Sequence, residues 1–309
     1  MAAQASTRIA VVGAGAVGCY YGGMLARAGA SVTLIGRAAH VEAIAREGLF
    51  LEGTRVREHI RVEAATDIAA AAQSRLVLVC VKTTDTDETA RLLAPLLVEG
   101  ARVVSLQNGV DNVERMHATA GVRALAAAVY VAAEMAGPGH VRQSSRGDLV
   151  LGDPLAQTPA EELDALAELF NRADIPCVVT HDIKAALWKK LVLNCTYNAV
   201  SALARARYGR IVRDPGTRAL LTRVASETVA VAHAAGVNLD LEEQIAAGLK
   251  LGEVMPDALS STAQDIARGK RTEIDSLNGY VARLGEHLGV ATPLNYALYK
   301  LVKLLEEAA

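Results

Sequence analysis

Residues 8–37 read RIAVVGAGAVGCYYGGMLARAGASVTLIGR and decide the fold of this chain. Ile9 to Val12 form a short apolar run rich in β-branched residues, which predicts a strand buried on both faces, as in a parallel sheet. A glycine-rich turn follows at once, residues 17–28 predict a helix, and Ser31 to Ile35 predict a second strand. This order of strand, glycine turn, helix and strand is typical of a dinucleotide-binding unit.

The glycines of this turn have different predicted roles. Gly13 permits the tight turn out of the strand, and Gly15 lacks the Cβ that would hold a pyrophosphate away. Gly18 lets the helix pack closely on the sheet, so that the pyrophosphate meets the helix N-terminal amides. The predicted cofactor-binding residues of this loop are Gly13, Ala14, Gly15, Ala16, Val17 and Gly18.

The end of the second strand indicates which dinucleotide binds. NAD-binding folds usually place Asp or Glu there to accept hydrogen bonds from the ribose hydroxyls, whereas this chain has Gly36 and Arg37. A guanidinium can bind a 2′-phosphate through two hydrogen bonds, and a carboxylate would repel it. Arg37 therefore predicts NADPH/NADP+ as the cofactor, the alternative being that Arg37 is a solvated loop charge.

The composition is that of a globular protein with small-molecule partners. The 309 residues are enough for two domains, 51% of them are hydrophobic and 21% charged, and the net charge is −2. No long basic run indicates nucleic acid or an anionic membrane, and no stretch predicts a signal peptide or a membrane span. The four scattered cysteines indicate neither zinc nor disulfides, which predicts no metal site and a reducing, cytoplasmic location.

Alternating strand and helix signals continue after residue 37. Leu76 to Val81 and Val103 to Leu106 predict further strands, with a helix from about 85 to 97 between them. Residues 123–152 contain extended runs around Gly-Pro-Gly, which predicts an antiparallel addition at the sheet edge. A helix near 160–172 and a strand at 176–179 follow. From His181 onward helical spacing dominates, so we predict an α/β domain over 1–180 and an all-α domain over 181–309.

A polar stripe marks the first helix of the second domain. Lys190, Asn194 and Asn198 recur every four residues, so they share one face of a helix otherwise rich in Leu, Val and Ala. Such a stripe can hold a polar substrate, with Lys190 donating a proton to a carbonyl oxygen as hydride reaches the carbon. The alternative is a solvated lysine beside asparagines that bond neighbouring backbone.

Other candidate groups lie in loops and at a helix start. Ser260 and Ser261 begin a helical stretch, and Glu273 follows twelve residues later, where it could accept a hydrogen bond from a substrate hydroxyl or from Lys190. Lys82 and Asn108 follow predicted strands, at the edge where cofactor and substrate bind in such folds. Helix capping by serine, a surface ion pair of Glu273 and an Asn-Gly turn remain the structural alternatives.

Taken together, several motifs resemble the ketopantoate reductase family over nearly the whole chain, in order and with similar spacing. They are GAGAVG (13–18), VKTTDT (81–86), LQNGVDN (106–112), LWKKLVLNCTYNAVSAL (187–203) and SSTAQDIARGKRTEIDSLNGY (260–280). The resemblance implies a Rossmann-type N-terminal domain, a helical C-terminal domain and reduction of 2-dehydropantoate to (R)-pantoate by NADPH, a step of pantothenate and coenzyme A biosynthesis. A cleft between the domains and a homodimer are further expectations.

The resemblance also implies roles for individual residues. The catalytic residues are Lys190 as general acid and Glu273 as its companion; the substrate-binding residues are Asn108, Asn194, Asn198 and Ser261; the basic residues at the cofactor are Arg37 and Lys82, with Asn108 near the nicotinamide. Ala258 stands where some members have asparagine, and ARARYGR (204–210) lacks another substrate-facing asparagine. A reductase of another 2-oxo acid, or a non-catalytic NADP(H) sensor, therefore remains an alternative.

Overall fold

The computed structural model describes residues 7–144 and 147–308, and the chain divides into two compact units. Unit 1 ends at Ile183 and combines β-strands with helices, and unit 2 begins at Lys184 and contains helices joined by loops, with no strand among its described residues. The predicted fold class, an α/β N-terminal part followed by an all-α part, is confirmed.

In chain order the strands of unit 1 are β1 (Arg8–Val12), β2 (Ser31–Ile35), β3 (Leu49–Glu52), β4 (Arg57–Ile60), β5 (Glu63–Ala65), β6 (Leu76–Val79), β7 (Arg102–Ser105), β8 (Ala124–Tyr130), β9 (Ala133–Gly137), β10 (His140–Gln143), β11 (Asp148–Gly152) and β12 (Cys177–Val179). Eight of these strands form the main sheet, in the order β12-β11-β8-β7-β6-β1-β2-β5. Six neighbouring strands, from β8 to β5 in that order, are parallel, while β11 pairs antiparallel with β8.

The central strands end in register, which gathers the chemistry of unit 1 at one edge. Val12 at the end of β1 pairs with Ile35 of β2 and Val79 of β6, and Val79 pairs with Ser105 of β7. These strands are almost wholly buried because apolar, mostly β-branched side chains cover both faces of the sheet. The four loops that follow β1, β2, β6 and β7 therefore leave the sheet side by side.

The prediction of an antiparallel addition at the sheet edge over residues 123–152 is confirmed for β11, which pairs antiparallel with β8 near the edge of the main sheet. It is wrong for β9 and β10, which lie in a second sheet with the order β4-β3-β10-β9. The Gly-Pro-Gly turn does join two antiparallel strands, β9 and β10, but β10 pairs with β3, which in turn pairs with β4, so the two strands do not extend the main sheet. Helix α1 (Ala16–Arg27) packs against both sheets, since a Cβ at Gly22 would lie 2.6 Å from Leu34 of β2 and one at Gly23 would lie 2.8 Å from Leu49 of β3.

The remaining helices of unit 1 are α2 (Ala38–Glu47), α3 (Thr86–Leu93), α4 (Asn112–Ala120) and α5 (Ala160–Arg172), with 3₁₀ turns at Ile68–Ala71, Thr83–Asp85 and Ala94–Leu96. The predicted helix over 85–97 is thus shorter, because Pro95 lies in the first turn of the last 3₁₀ segment and cannot continue the α-helical hydrogen bonds. The helices that follow are α6 (Ile183–Ala204), α7 (Tyr208–Arg213), α8 (Pro215–Ala234), α9 (Leu241–Val254), α10 (Ser261–Ala267), α11 (Asn278–Leu288) and α12 (Pro293–Glu307), with a 3₁₀ turn at Ile274–Ser276.

Candidate functional site

The three glycines of the loop after β1 each meet a different steric demand. Gly13 has φ +109°, and a Cβ there would lie 2.6 Å from the carbonyl carbon of Cys80. A Cβ at Gly18 would lie 2.2 Å from the carbonyl oxygen of Gly13. A Cβ at Gly15 would meet nothing within 4 Å, so this glycine faces open space. Gly13 and Gly18 are therefore required by packing, whereas Gly15 leaves room for a ligand.

The loop also presents a helix N-terminus to that space. The amides of Gly13 and Ala14 both donate to the carbonyl of Ile35, 2.9 and 2.8 Å away, which fixes the turn against the end of β2. Helix α1 then begins at Ala16 with Gly15 as N-cap, without a side-chain cap and without an acid in its first turn. The first amides of a helix have no partner in a preceding turn, so this open cradle fits a pyrophosphate.

Two alanine substitutions separate the structural glycine from the ligand-facing one. Because Gly15 has φ −87°, we expect Gly15→Ala to fold normally, changing the free energy of unfolding by less than about 0.5 kcal/mol, and to weaken NADPH binding by roughly tenfold or more. Gly18→Ala should lower the free energy of unfolding by about 1–3 kcal/mol through overpacking. Urea unfolding and NADPH titration measure both effects, and equal destabilisation by the two variants would contradict this assignment.

Arg37 lies directly beside the glycine loop. Gly36 packs so closely that a Cβ on it would lie 2.6 Å from the Cβ of Ala14. Arg37 follows as the N-cap of α2, where its carbonyl accepts hydrogen bonds from the amides of His40 and Val41. Its backbone is thus fixed while the residue is exposed, and the first turn of α2 contains no acid.

Lys82 and Asn108 lie in neighbouring loops at the same edge of the sheet. Lys82 is half-buried and caps the 3₁₀ turn that follows β6, and Asn108 is half-buried two residues after Leu106, whose amide donates to Val79. The carbonyl of Asn108 accepts hydrogen bonds from the Thr83 hydroxyl at 2.7 Å and the Asn112 side chain at 2.6 Å. The two loops are therefore held to one another.

A buried polar network behind these loops escaped the sequence analysis. Gln107 donates to the carbonyl of Val81 at 3.2 Å and to the Thr86 hydroxyl at 2.8 Å, and accepts from Ser105 at 3.0 Å. The Thr86 hydroxyl in turn donates to Asn112 at 2.9 Å. The available signal was a glutamine placed directly after a buried strand, since a buried amide needs partners for all its polar atoms.

In unit 2 the polar stripe lies on α6 as the spacing predicts. Lys190 and Asn194 are half-buried and Asn198 is buried, with 3% of its surface exposed. Burial lowers the pKa of Lys190 to about 8, and the negative charge of Glu273 partly offsets this shift by raising it. Lys189, the neighbouring residue, instead forms a 3.0 Å ion pair with Glu243 at the surface. The two adjacent lysines thus have different environments.

The two adjacent serines have different environments: Ser260 caps a helix, and Ser261 is exposed. Ser260 is the N-cap of α10 and is buried; its hydroxyl accepts from the amide of Ala263 at 3.0 Å and donates to the carbonyl of Asn198 at 3.1 Å. The start of α10 is therefore bonded to α6. Ser261 is the first residue of α10 and is exposed. The helix-capping alternative applies to Ser260, which leaves Ser261 as the candidate for substrate.

Glu273 is half-buried at the N-cap of the 3₁₀ turn Ile274–Ser276. Its charge acts on Lys190, so the two predicted catalytic residues are electrostatically coupled within unit 2. Among residues 7–144 and 147–308, no group of three His, Cys, Asp or Glu side chains has the geometry to hold a metal ion. In the same part of the chain, none of the helices has the length and apolarity needed to cross a bilayer.

Comparison with known proteins gives consistent matches over nearly the whole chain. Residues 9–155 match the family model described as ketopantoate reductase PanE/ApbA, and residues 182–306 match the model of its C-terminal part. The chain is 33% identical to a 2-dehydropantoate 2-reductase of Pyrococcus horikoshii, with 97% of each chain covered. Among solved structures, a PanE/ApbA family ketopantoate reductase from Ralstonia eutropha JMP134 superposes with a TM-score of 0.90. Its sequence is 47% identical, and the match covers 97% of this chain and 99% of that one.

A third similarity concerns the fold alone. A D-mandelate dehydrogenase solved with NADH and anilino(oxo)acetate superposes with a TM-score of 0.92, covering 97% of this chain and 98% of that one, at 24% sequence identity. At this identity the similarity shows a shared architecture and does not transfer an activity.

Proposed function

Because the chain belongs to the ketopantoate reductase family, as its motifs predicted, we propose that it reduces 2-dehydropantoate to (R)-pantoate with NADPH. The observation that carries the proposal is the environment of Lys190. This ammonium lies on a mostly apolar helix, its pKa is lowered to about 8, and the charge of Glu273 acts on it. A proton donor with a pKa close to the working pH is suited to general acid catalysis.

The residues of unit 1 fit the nucleotide. Gly15 and the first amides of α1 would hold the pyrophosphate, and Arg37 would bind the 2′-phosphate that distinguishes NADPH from NADH. Lys82 would contribute a positive charge, and Asn108 would orient the nicotinamide end. When bound, the nicotinamide supplies a hydride for the keto carbon.

The residues of unit 2 supply the proton and bind the substrate. Lys190 donates its proton to the keto oxygen as negative charge develops there, and Glu273 keeps Lys190 protonated by raising its pKa. Asn194 and Asn198 donate hydrogen bonds to substrate oxygens, and the Ser261 hydroxyl binds the carboxylate. The hydrogen bond from the Ser260 hydroxyl to the Asn198 carbonyl holds the start of α10, where Ser261 lies, against α6.

Two further properties are proposed, the location of the protein and its oligomeric state. All four cysteines are free thiols, three of them buried, which supports a reducing cytoplasmic location. Exposed apolar residues on α12, namely Tyr296, Leu301 and Leu304, support a homodimer.

The activity is tested by following NADPH absorbance with a panel of 2-oxo acids that includes 2-dehydropantoate. We expect rapid oxidation with 2-dehydropantoate, and chromatography of the product should identify (R)-pantoate. Oxidation of NADPH with another 2-oxo acid only would overturn the proposed substrate. Tight NADPH binding without any oxidation would instead identify an NADP(H) sensor and overturn the enzymatic function.

The pKa of Lys190 predicts opposite pH dependences in the two directions. Reduction needs protonated Lys190, so kcat/KM should be level below pH 8 and fall above about 8 by roughly tenfold per pH unit. Oxidation of (R)-pantoate needs the neutral amine, so it should rise through the same pH. We call the fall of the reduction rate above pH 8 the upper limb of the pH profile. In Lys190→Arg the guanidinium stays protonated, so the upper limb should be absent from the residual activity of this variant. An unchanged limb in that variant would show that another group titrates.

A further inference from the structure

The backbone just before Glu273 is bonded to the C-terminal helix. The amide and the hydroxyl of Thr272 both donate to the Oε1 atom of Glu306 on α12, at 2.7 and 2.5 Å. Thr272 is fully buried, and only 10% of the Glu306 side chain is exposed. The Thr272 hydroxyl also accepts from the amide of Ile274 at 3.2 Å. One carboxylate oxygen of Glu306 therefore constrains residues on both sides of Glu273.

Helix α12 also holds Asp275, in the 3₁₀ turn Ile274–Ser276 that follows Glu273. Lys303 donates to Oε2 of Glu306 at 2.6 Å and to Asp275 at 3.1 Å, and the Tyr299 hydroxyl donates to Asp275 at 2.8 Å. Tyr299, Lys303 and Glu306 are four and three residues apart, so they share one face of α12. Although burial raises the pKa of Glu306, hydrogen bonds from Lys303 and Thr272 outweigh it and hold that pKa below its usual range. Glu306 therefore stays charged near neutral pH.

We propose that Glu306 is a positioning residue for the reaction: through Thr272 it fixes the turn that carries Glu273, and so fixes the Glu273 carboxylate relative to Lys190. This proposal rests on the proposed function, in which Lys190 is the general acid. Nothing in the motif over residues 260–280 points to Glu306, which lies 34 residues after Thr272. The contribution of Glu306 is visible only in the folded protein.

A purely structural role for Glu306 predicts a different result. Loss of a buried hydrogen-bonded carboxylate would then lower the free energy of unfolding and leave the pKa of the general acid, Lys190, unchanged. If Glu306 positions Glu273, the loosened carboxylate acts less on Lys190. Since the charge of Glu273 raises the pKa of Lys190, that pKa should fall, and the upper limb of the reduction rate should move to lower pH.

Three variants and one control test the proposal. Glu306→Leu removes both acceptor oxygens, Thr272→Val removes only the hydroxyl, and Thr272→Ser restores it. Glu307→Gln, an exposed acid at the next position, is the control for a charge change on α12. Because Thr272→Val keeps the amide that bonds to Glu306, it tests the proposal even if Glu306→Leu does not fold.

The kinetic constants and the pH profile of reduction distinguish the outcomes. In folded Glu306→Leu and Thr272→Val we expect kcat to fall about tenfold or more, KM for NADPH to stay within about twofold, and the upper limb to move down by at least about 0.5 pH units. Thr272→Ser and Glu307→Gln should match the parent protein. An unmoved limb in folded, destabilised variants would overturn the proposal.

The pKa of Lys190 can also be measured without turnover. Titration of the lysine ¹³Cε signals, with Lys190→Arg to assign the resonance, should show the same downward shift in both variants. If the parent protein fails to oxidise NADPH with 2-dehydropantoate, the proposed function fails while this titration still decides the positioning role. An unchanged Lys190 titration in Thr272→Val and Glu306→Leu would refute it.

Discussion

Lys190→Ala is expected to lower kcat for 2-dehydropantoate reduction by about 10²- to 10⁴-fold while leaving the Kd for NADPH unchanged. The substitution removes the proposed proton donor, so negative charge on the keto oxygen would develop without a partner. NADPH binding should be retained because the proposed cofactor-binding residues lie in unit 1, whereas Lys190 lies on α6 in unit 2. Stopped-flow turnover and fluorescence titration measure the two quantities separately.

The neighbouring lysine gives a matched control. Lys189→Ala removes the same group from the same helix, but its partner is the surface residue Glu243. An exposed ion pair contributes about 0–1 kcal/mol, so this variant should keep turnover within about twofold. If Lys190→Ala retained turnover within tenfold of the parent protein while binding NADPH normally, Lys190 would not be the general acid.

The N-terminal unit was predictable to the extent that its signals are local. The strand, glycine turn, helix and strand over residues 8–37 appear in the structure, with β2 at the predicted bounds and α1 displaced by one residue. Buried strands such as β6 and β7 were also recognisable, because each contains a short run of apolar residues rich in valine. Gly15 and Gly18 belong to the same motif, yet only the folded structure shows that Gly15 faces open space and that Gly18 has no room for a Cβ.

The second sheet was missed because its pairing is non-local. Strands β3 and β4 are short and precede β9 and β10 by some eighty residues, and only β10 links them through a parallel pair with β3. Strand β4, with the sequence REHI, is exposed at three of its four residues and lacks the apolar run that identifies a central strand. The extended character of β9 and β10 could be recognised from sequence, but the sheet that they join depends on contacts that no local pattern encodes.

In the candidate site, too, local features could be predicted from sequence and long-range contacts could not. Helical spacing placed Lys190, Asn194 and Asn198 on one face, because that periodicity is a property of the helix itself. The coupling of Lys190 to Glu273, and of Thr272 to Glu306, joins residues far apart in sequence through buried hydrogen bonds and charges. Such contacts have no periodic signal, so sequence indicates which residue types are present and the fold decides which of them meet.

Arg37→Asp is expected to weaken NADPH binding by about 100-fold or more while leaving NADH binding within about threefold. Arg37 caps α2 beside the glycine loop, where its guanidinium would form charge-assisted hydrogen bonds with the 2′-phosphate. An aspartate at this position would repel that phosphate, but it could accept a hydrogen bond from the 2′-hydroxyl of NADH. Fluorescence titration with both nucleotides gives the ratio of the two Kd values.

The control is an arginine on the same helix. Arg46 lies nine residues further along α2, is exposed and pairs with Glu47, so Arg46→Asp makes the same change of charge about 13 Å away along the helix axis. Because that distance exceeds the Debye length at physiological salt, about 8 Å, Arg46→Asp should change neither Kd by more than about twofold. Equal weakening of NADPH and NADH by Arg37→Asp would mean that Arg37 only supports the loop, since loss of a 2′-phosphate contact cannot affect a nucleotide that lacks the phosphate.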